Sequence, residues 1–197
     1  MKLIDLRSDT VTLPTTEMMQ AIQLNSLGDD VYGEDPSTNK LESLAANITG
    51  KEDALLVSSG TMGNLIALLV HCSRGSEVIV GNKSHTFLYE NGGISAYGGI
   101  HSHQLPNNYD GTINIDLIDD AIRIDDIHFP ITKLICLENT HNKCHGFPLQ
   151  LNYINSVCYL AHDKGIKVHM DGARLFNACA ALDVDAQTTL KNVDSVT

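Results

Sequence analysis

The stretch that decides the fold, residues 166–174, reads IKVHMDGAR. Its apolar residues Ile166, Val168 and Met170 alternate with polar ones, and this spacing of two predicts a strand. The preceding residues 151–163 have the apolar spacing of an amphipathic helix. Because a helix that leads directly into an apolar strand is a building unit of parallel sheets, the stretch predicts an α/β fold.

The predicted strand ends at Asp171, and Arg174 follows three residues later. In α/β proteins, ligands bind at the carboxyl ends of the strands. An acid at this position can keep a ring nitrogen protonated, and an arginine can bind a carboxylate or a phenolate. Together the two residues suggest pyridoxal phosphate, whose chemistry uses an acid beside the pyridinium nitrogen. The alternative is that Asp171 only caps the following helix, and this stretch alone does not separate the two.

Strand-like and helical patterns alternate along the remaining chain, which predicts a three-layer fold with a mostly parallel sheet between helices. The predicted strands are residues 54–57, 77–80, 101–105, 133–138 and 166–171, with a further strand beginning at 193. The predicted helices are residues 15–27, a segment capped near 37 that stops at 50, and residues 62–71, 85–90, 115–124, 151–163 and 173–181.

Composition excludes several classes of protein. A net charge of -11 without any basic run argues against binding to nucleic acid. The longest apolar run, residues 65–70, is far too short to span a membrane. Five widely spaced cysteines without a C-x-x-C pattern indicate reduced thiols, so we expect a cytoplasmic protein.

Two further segments follow predicted strands and offer polar groups. Residues 58–64 read SSGTMGN, where small residues at a helix start let backbone N–H groups approach a phosphate. The alternative is a well-capped helix start. His85 could stack on a flat ring or move protons, although a lone histidine is more often a satisfied polar residue. Glu90, five residues later, is expected to lie away from it and is only a minor candidate.

Other histidines raise the question of a metal site. His101 and His103 would point to the same side of a strand, and His141 and His145 follow Glu138. No helical H-E-x-x-H pattern or cysteine pair supports metal binding, so we predict none. A G-x-S-x-G pattern is absent too, which argues against a serine hydrolase.

Six blocks, in order along the chain, closely resemble the low-specificity L-threonine aldolases, which are pyridoxal-phosphate lyases of fold type I. The blocks are RSDTVT (7–12), DVYGEDP (30–36), SGTMGN (59–64), His85, ENTHN (138–142) and DGAR (171–174). The resemblance implies an N-terminal segment, residues 1–30, and a pyridoxal-phosphate-binding large domain, residues 31–197.

The resemblance also assigns roles to the cofactor contacts. Gly60 and Thr61 would bind the cofactor phosphate, and His85 would stack on the pyridine ring. Asp171 would pair with the ring nitrogen, with Arg174 nearby.

Three matched residues would serve the substrate and the chemistry. Ser8 and Arg174 would hold the substrate carboxylate. His128 matches a family histidine near the substrate hydroxyl, so the catalytic candidates are His85 and His128. The identity of the general base is left open between them.

The implied activity is retro-aldol cleavage of L-threonine or L-allo-threonine, which are small β-hydroxy amino acids, to glycine and acetaldehyde by a carbon–carbon lyase. The resemblance implies a homodimer or homotetramer. It places the lysine that forms the Schiff base, and a small carboxy-terminal domain, beyond Thr197. We therefore expect a truncated chain that binds the cofactor weakly and exposes apolar surface. The alternatives are a catalytically dead cofactor-binding remnant and a related β-eliminating lyase.

Overall fold

The computed structural model describes residues 4–197, and its centre is a sheet of five parallel strands in the order β2-β1-β3-β4-β5. Every neighbouring pair runs parallel. The strands are β1 (Glu77–Gly81), β2 (His101–Leu105), β3 (Thr132–Glu138), β4 (Lys167–Asp171) and β5 (Ser195–Val196). The prediction of a parallel-rich α/β sheet is confirmed.

Nine α-helices connect or flank the strands within the described part of the chain. They are α1 (Thr16–Leu24), α2 (Pro36–Thr49), α3 (Gly60–His71), α4 (His85–Leu88), α5 (Gly93–Ala96), α6 (Ile115–Ala121), α7 (Leu151–Asp163), α8 (Leu175–Leu182) and α9 (Ala186–Leu190). Among residues 4–197, no helix is both long enough and apolar enough to cross a membrane.

Alternate side chains of the strands enter two separate cores, which makes the fold three-layered. On one face, Val78, Val80 and Leu134 pack with Leu68 of α3 and Ile94 of α5. The opposite face carries the larger core, with strand residues among helices α6 to α9. Its buried strand members are Ile79, Leu105, Ile135, Leu137, Val168 and Met170. The period of two read from residues 166–170 therefore has a direct physical cause, since successive strand side chains face opposite layers.

The helix and strand within residues 151–171, which decide the fold, form as predicted. Helix α7 buries Ile154, Val157 and Ala161 against the sheet and ends at the Lys164 cap. Gly165 has a φ of 69°, a left-handed conformation that glycine adopts without strain, and β4 follows after one further residue. The chain thus turns sharply from the helix into the strand that carries Asp171.

Residues 54–57 do not form the predicted strand. The backbone N–H of Ala54 binds the Asp53 side chain, and that of Leu56 binds Glu42 Oε1 at 2.7 Å. Leu55 and Leu56 are exposed. An apolar run becomes a strand only where a partner strand can pair with its backbone, and here side chains satisfy these N–H groups instead.

Helix boundaries differ in smaller ways. Helix α1 ends at Leu24, short of the predicted residue 27, and Asp35 caps α2 in place of Ser37. Helices α5 and α9 were not predicted, because each has only four or five residues and no clear period. The N-terminal segment predicted as residues 1–30 begins outside the described part of the chain, at residues 1–3.

Candidate functional site

A cleft of about 500 Å³ opens at the carboxyl edge of the sheet, where β3 and β4 end. It is lined by Ser8, Thr10, Ser59, Gly60, Thr61, Asn64, His85, Tyr89, Glu138, Thr140, Asn142, Asp171, Ala173 and Arg174. The structure therefore brings together Ser8, Gly60, Thr61, His85, Asp171 and Arg174, which are all but one of the residues predicted for the site. They meet because parallel strands direct the loops that follow them to one edge.

The start of α3 offers two backbone donors to this cleft. Ser59 caps the helix by accepting from the Met62 N–H at 3.1 Å. The N–H groups of Gly60 and Thr61 have no hydrogen-bond partner within residues 4–197. A Cβ built on Gly60 would meet nothing within 4 Å, so the approach to this backbone is open. Free N–H groups at the positive end of a 12-residue helix are suited to bind an anion.

Asp171 ends β4 and is 5% exposed at the base of the cleft. Its Oδ2 accepts from Asn64 Nδ2 at 3.0 Å, and its Oδ1 accepts from the Ala173 N–H at 3.2 Å. Helix α8 begins later, at Leu175, with no side-chain cap. Because a carboxylate can accept about four hydrogen bonds, Asp171 retains lone pairs for a cationic ligand. Capping α8 is therefore not its role.

Glu90 is a buried part of the site that the sequence interpretation had placed away from His85. Its Oε1 lies 2.9 Å from His85 Nδ1 and accepts from Asn64 Nδ2 at 2.8 Å. The prediction assumed a continuous helix from 85 to 90, but α4 ends at Leu88 and the chain turns back. Burial raises the pKa of Glu90, opposed by its bonds to Asn64 and His85.

Glu138 binds backbone N–H groups rather than a charged side chain. Its Oε2 accepts from the His85 N–H at 2.7 Å and its Oε1 from the Asn142 N–H at 2.9 Å. Burial raises the pKa of this carboxyl. Glu138 thus fixes the loop that presents His85, while Glu90 orients the imidazole. With its Nδ1 directed at Glu90, His85 has only Nε2 free to act in the cleft.

Arg174 and Ser8 meet at the rim of the cleft. Arg174 donates to Asp9 Oδ1 at 2.7 Å, and this contact raises the pKa of Arg174 and lowers the pKa of Asp9. Ser8 accepts from the Thr10 N–H and donates to Asp9 at 3.2 Å. Together with Arg7, these residues also line an adjoining recess of about 430 Å³. Asp9 therefore binds the same guanidinium group that a substrate carboxylate would bind.

His128 is the one predicted site residue that the structure does not bring to the cleft. Its side chain is 80% exposed and bonds to Asp126. It lies in the connection before β3, and β3 starts at Thr132 on the opposite edge of the sheet. The catalytic role of His128 therefore stays a prediction.

The other histidine pairs lie elsewhere. His101 and His103 do point to the same side, but they face Glu77 at the amino edge of the sheet. His141 is buried, with neither ring nitrogen bonded, and burial lowers its pKa to about 4. His145 stacks on Tyr109.

Within the described residues, one group has the spacing of metal ligands, and it lies inside the cleft. Ligand atoms of His85, Glu90 and Asp171 all lie within 4.8 Å of one another. The amide of Asn64 already donates to both carboxylates, which favours a hydrogen-bonded array at this place. The absence of a metal site stays a prediction.

Comparison with known proteins identifies relatives along nearly the whole chain. The sequence model of the beta-eliminating lyase family matches residues 5–197. The chain is 49% identical over 199 residues to low-specificity L-threonine aldolase 1 of Arabidopsis thaliana, covering 100% of this chain and 56% of that protein. It is 43% identical to the low specificity L-threonine aldolase of Escherichia coli strain K12, covering 99% of this chain and 58% of that protein.

A solved structure shares the fold. The Leishmania major threonine aldolase superposes with a TM-score of 0.77 at 24% identity, covering 90% of this chain and 52% of that one. At this identity the likeness supports the fold alone. The chain spans about half the length of the curated relatives it matches.

Proposed function

Because the chain belongs to the beta-eliminating lyase family, we propose that its cleft binds pyridoxal phosphate and serves the retro-aldol cleavage of small β-hydroxy amino acids. L-threonine and L-allo-threonine would yield glycine and acetaldehyde. The observation that carries the proposal is the meeting of Asp171, the open start of α3, His85 and Arg174 in one cleft. Relatives that carry the name low-specificity L-threonine aldolase support the choice of substrate.

The residues present fit the cofactor at both of its ends. The free N–H groups of Gly60 and Thr61 suit its phosphate. Thr61 precedes Asn64 by three residues on α3, about 4.5 Å of rise, and Asn64 donates to Asp171 at 3.0 Å. The phosphate donors and the acid therefore line the same cleft, with Asn64 between them along the chain of contacts. A cleft of about 500 Å³ is within the range that encloses small ligands.

When bound, pyridoxal phosphate supplies an electron sink for the carbon–carbon bond cleavage. Asp171 would favour this by keeping the ring nitrogen protonated. Arg174 would bind the substrate carboxylate, with Ser8 beside it. The free Nε2 of His85 can accept the proton of the substrate hydroxyl, because its Nδ1 is directed at Glu90.

The test is to supply L-threonine, L-allo-threonine and L-serine, with pyridoxal phosphate, to protein that carries these residues. From each threonine isomer we expect one molecule of acetaldehyde for every molecule of glycine. Pyruvate and ammonia from L-serine, without glycine from threonine, would assign the cleft to β-elimination instead. If neither set of products forms and added cofactor causes no absorbance change, the whole proposal is wrong.

Assembly and compartment belong to the same proposal. Apolar side chains of α1 and α2 are exposed, including Ile22, Leu24, Leu41 and Leu44. We propose that a homodimer or homotetramer covers part of this surface, which would also allow His128 of one copy to approach a neighbouring cleft. All five cysteines are buried and unpaired, which supports the cytoplasm as the compartment.

A further inference from the structure

A row of hydrogen bonds connects α3 with the interior of the sheet behind the cleft. His71 Nε2 lies 2.8 Å from Ser195 Oγ, and the same hydroxyl lies 2.9 Å from His169 Nδ1. His169 Nε2 in turn lies 3.1 Å from Asn64 Oδ1. His169 and Asn64 are almost fully buried. The row therefore links a helix end near the surface to the acids at the base of the cleft.

The two acids determine which way the Asn64 amide faces. Its nitrogen lies 2.8 Å from a Glu90 oxygen and 3.0 Å from an Asp171 oxygen. Only the NH₂ group can donate to two carboxylates, so the carbonyl oxygen must face His169. That oxygen accepts hydrogen bonds only, and His169 must therefore carry its proton on Nε2.

The proton positions on Ser195 and His71 follow from this tautomer of His169. Burial lowers the pKa of His169 to about 4, so the ring is neutral near pH 7 and its Nδ1 is an acceptor. The Ser195 hydroxyl must donate to that nitrogen. Its oxygen then accepts from His71 Nε2, which carries a proton in turn. Each of these three hydrogen bonds has one permitted direction, and the His169 Nε2–H also has Thr197 Oγ1 as a second neighbour at 3.3 Å.

The row also holds α3 in place along the strands. Asn64 and His71 are seven residues apart on the same helix, which puts them on one face two turns apart. Both are connected to His169 of β4, directly or through Ser195 of β5. Since α3 begins at Gly60, the same contacts set the position of its free N–H groups relative to Asp171.

We propose that Asn64 is a positioning residue of the site, anchored by His169 and through it by Ser195 and His71, and that it holds Glu90 and Asp171 in place. Through Glu90 it also keeps His85 Nδ1 protonated and Nε2 free. This inference rests on the proposed function for its catalytic meaning, but its geometry can be tested in the cofactor-free protein.

The first experiment reads imidazole tautomers by nitrogen-15 NMR at pH 7 without cofactor. We expect the Nε2–H form at His169 and the Nδ1–H form at His85. Ser195→Ala should shift the His169 Nδ1 signal, because that nitrogen loses its donor, while Asn64 keeps the ring proton on Nε2. The control Ser156→Ala removes a hydroxyl that, among residues 4–197, bonds only to the Asn152 carbonyl of its own helix, and it should change neither signal. His169 found in the Nδ1–H form, or an Nδ1 signal that Ser195→Ala leaves unchanged, would overturn the proposal.

The second experiment measures cofactor binding by absorbance. Asn64→Ala should weaken the affinity for pyridoxal phosphate by about ten- to a hundredfold, the size of one hydrogen bond to a charged group. It should also shift the His85 tautomer signals. Asn155→Ala removes an amide on the distant helix α7 and should alter neither. Circular dichroism confirms that both variants are folded.

The outcomes separate the two proposals. If the protein does not bind pyridoxal phosphate at all while the tautomers are as expected, the proposed function fails and the hydrogen-bonded row stands. If Asn64→Ala binds the cofactor as tightly as the unchanged protein and leaves His85 unchanged, the positioning role is wrong.

Discussion

The two edges of the sheet each bury an acid beside histidines, but they treat its charge differently. At the amino edge, Glu77 is fully buried and meets Arg123 Nε at 3.3 Å and the Thr132 hydroxyl at 3.0 Å. His101 and His103 lie 3.6 and 3.4 Å from its two oxygens. Every face of this carboxylate has a donor, and the cluster has no unmatched charge.

At the carboxyl edge, Asp171 and Glu90 share the amide of Asn64, and within residues 4–197 neither pairs with a lysine or an arginine. Buried charge without a cation is costly unless a ligand supplies one. The difference teaches that burial of an acid does not identify a site. An unmatched acidic charge beside an open cleft does identify a site.

Asp171→Asn tests this contrast most strongly. Since an amide cannot balance a pyridinium charge, we expect kcat/KM for threonine cleavage to fall by about a hundredfold or more, the scale of losing one preorganised electrostatic contact. Glu77→Gln at the other edge should lower it less than about threefold, because no substrate reaches it. Steady-state assay of acetaldehyde makes the comparison. Similar losses in the two variants would show that the edges do not differ in role.

Arg123→Met tests the amino edge by stability. It leaves Glu77 buried with weaker partners, and we expect the free energy of unfolding to fall by about 2–3 kcal/mol. Arg74→Met, at an exposed arginine that is absent from the arginine ion pairs of the described residues, should change it by less than about 0.5 kcal/mol. Urea unfolding measures both. An equal effect of the two substitutions would mean that Glu77 does not depend on Arg123.

The carboxyl edge should also make stability depend on pH. The pKa of His169 is lowered to about 4 from its usual 6.5, so its ring stays neutral in the folded protein at pH values where it takes up a proton in the unfolded chain. Its contribution is complete above pH 6.5 and is lost as the pH falls towards 4. Between pH 6.5 and 5 we expect a loss of about 1.5 kcal/mol. Urea unfolding at several pH values should show that the free energy of unfolding of His169→Asn falls less between pH 6.5 and 5 than that of the unchanged protein, by this amount. The same fall in both proteins would contradict the prediction.

Asp9→Asn gives the smallest effect. The Asp9–Arg174 pair is partly exposed, so it contributes about 0.5–1 kcal/mol. Removing the carboxylate frees Arg174 for the substrate, and we expect KM for threonine to fall about two- to fivefold with kcat unchanged. Asp120→Asn, an exposed acid on α6, is the control. A rise in KM would instead show that Asp9 helps to position the arginine.

Much of the fold could be predicted because its signals are local. Helix α7 and strands β1 to β4 match their predicted bounds within one residue, and in α7 and β4 the apolar period records which face is buried. The strand expected at 54–57 was wrong, because apolar character does not provide a pairing partner. Glu90 was set aside because its spacing from His85 was measured along a helix that ends at Leu88.

The residues 166–174 were sufficient to predict a parallel α/β sheet with an acid at the carboxyl end of a strand, because strand period and strand end are both properties of neighbouring residues. The tertiary structure alone decided that Asn64 lies between Glu90 and Asp171, and that His71, Ser195 and His169 anchor it. Asn64 and His169 are 105 positions apart in the chain, and His71 and Ser195 are 124 positions apart. No local pattern records such a meeting, since it depends on how α3 packs across β4 and β5.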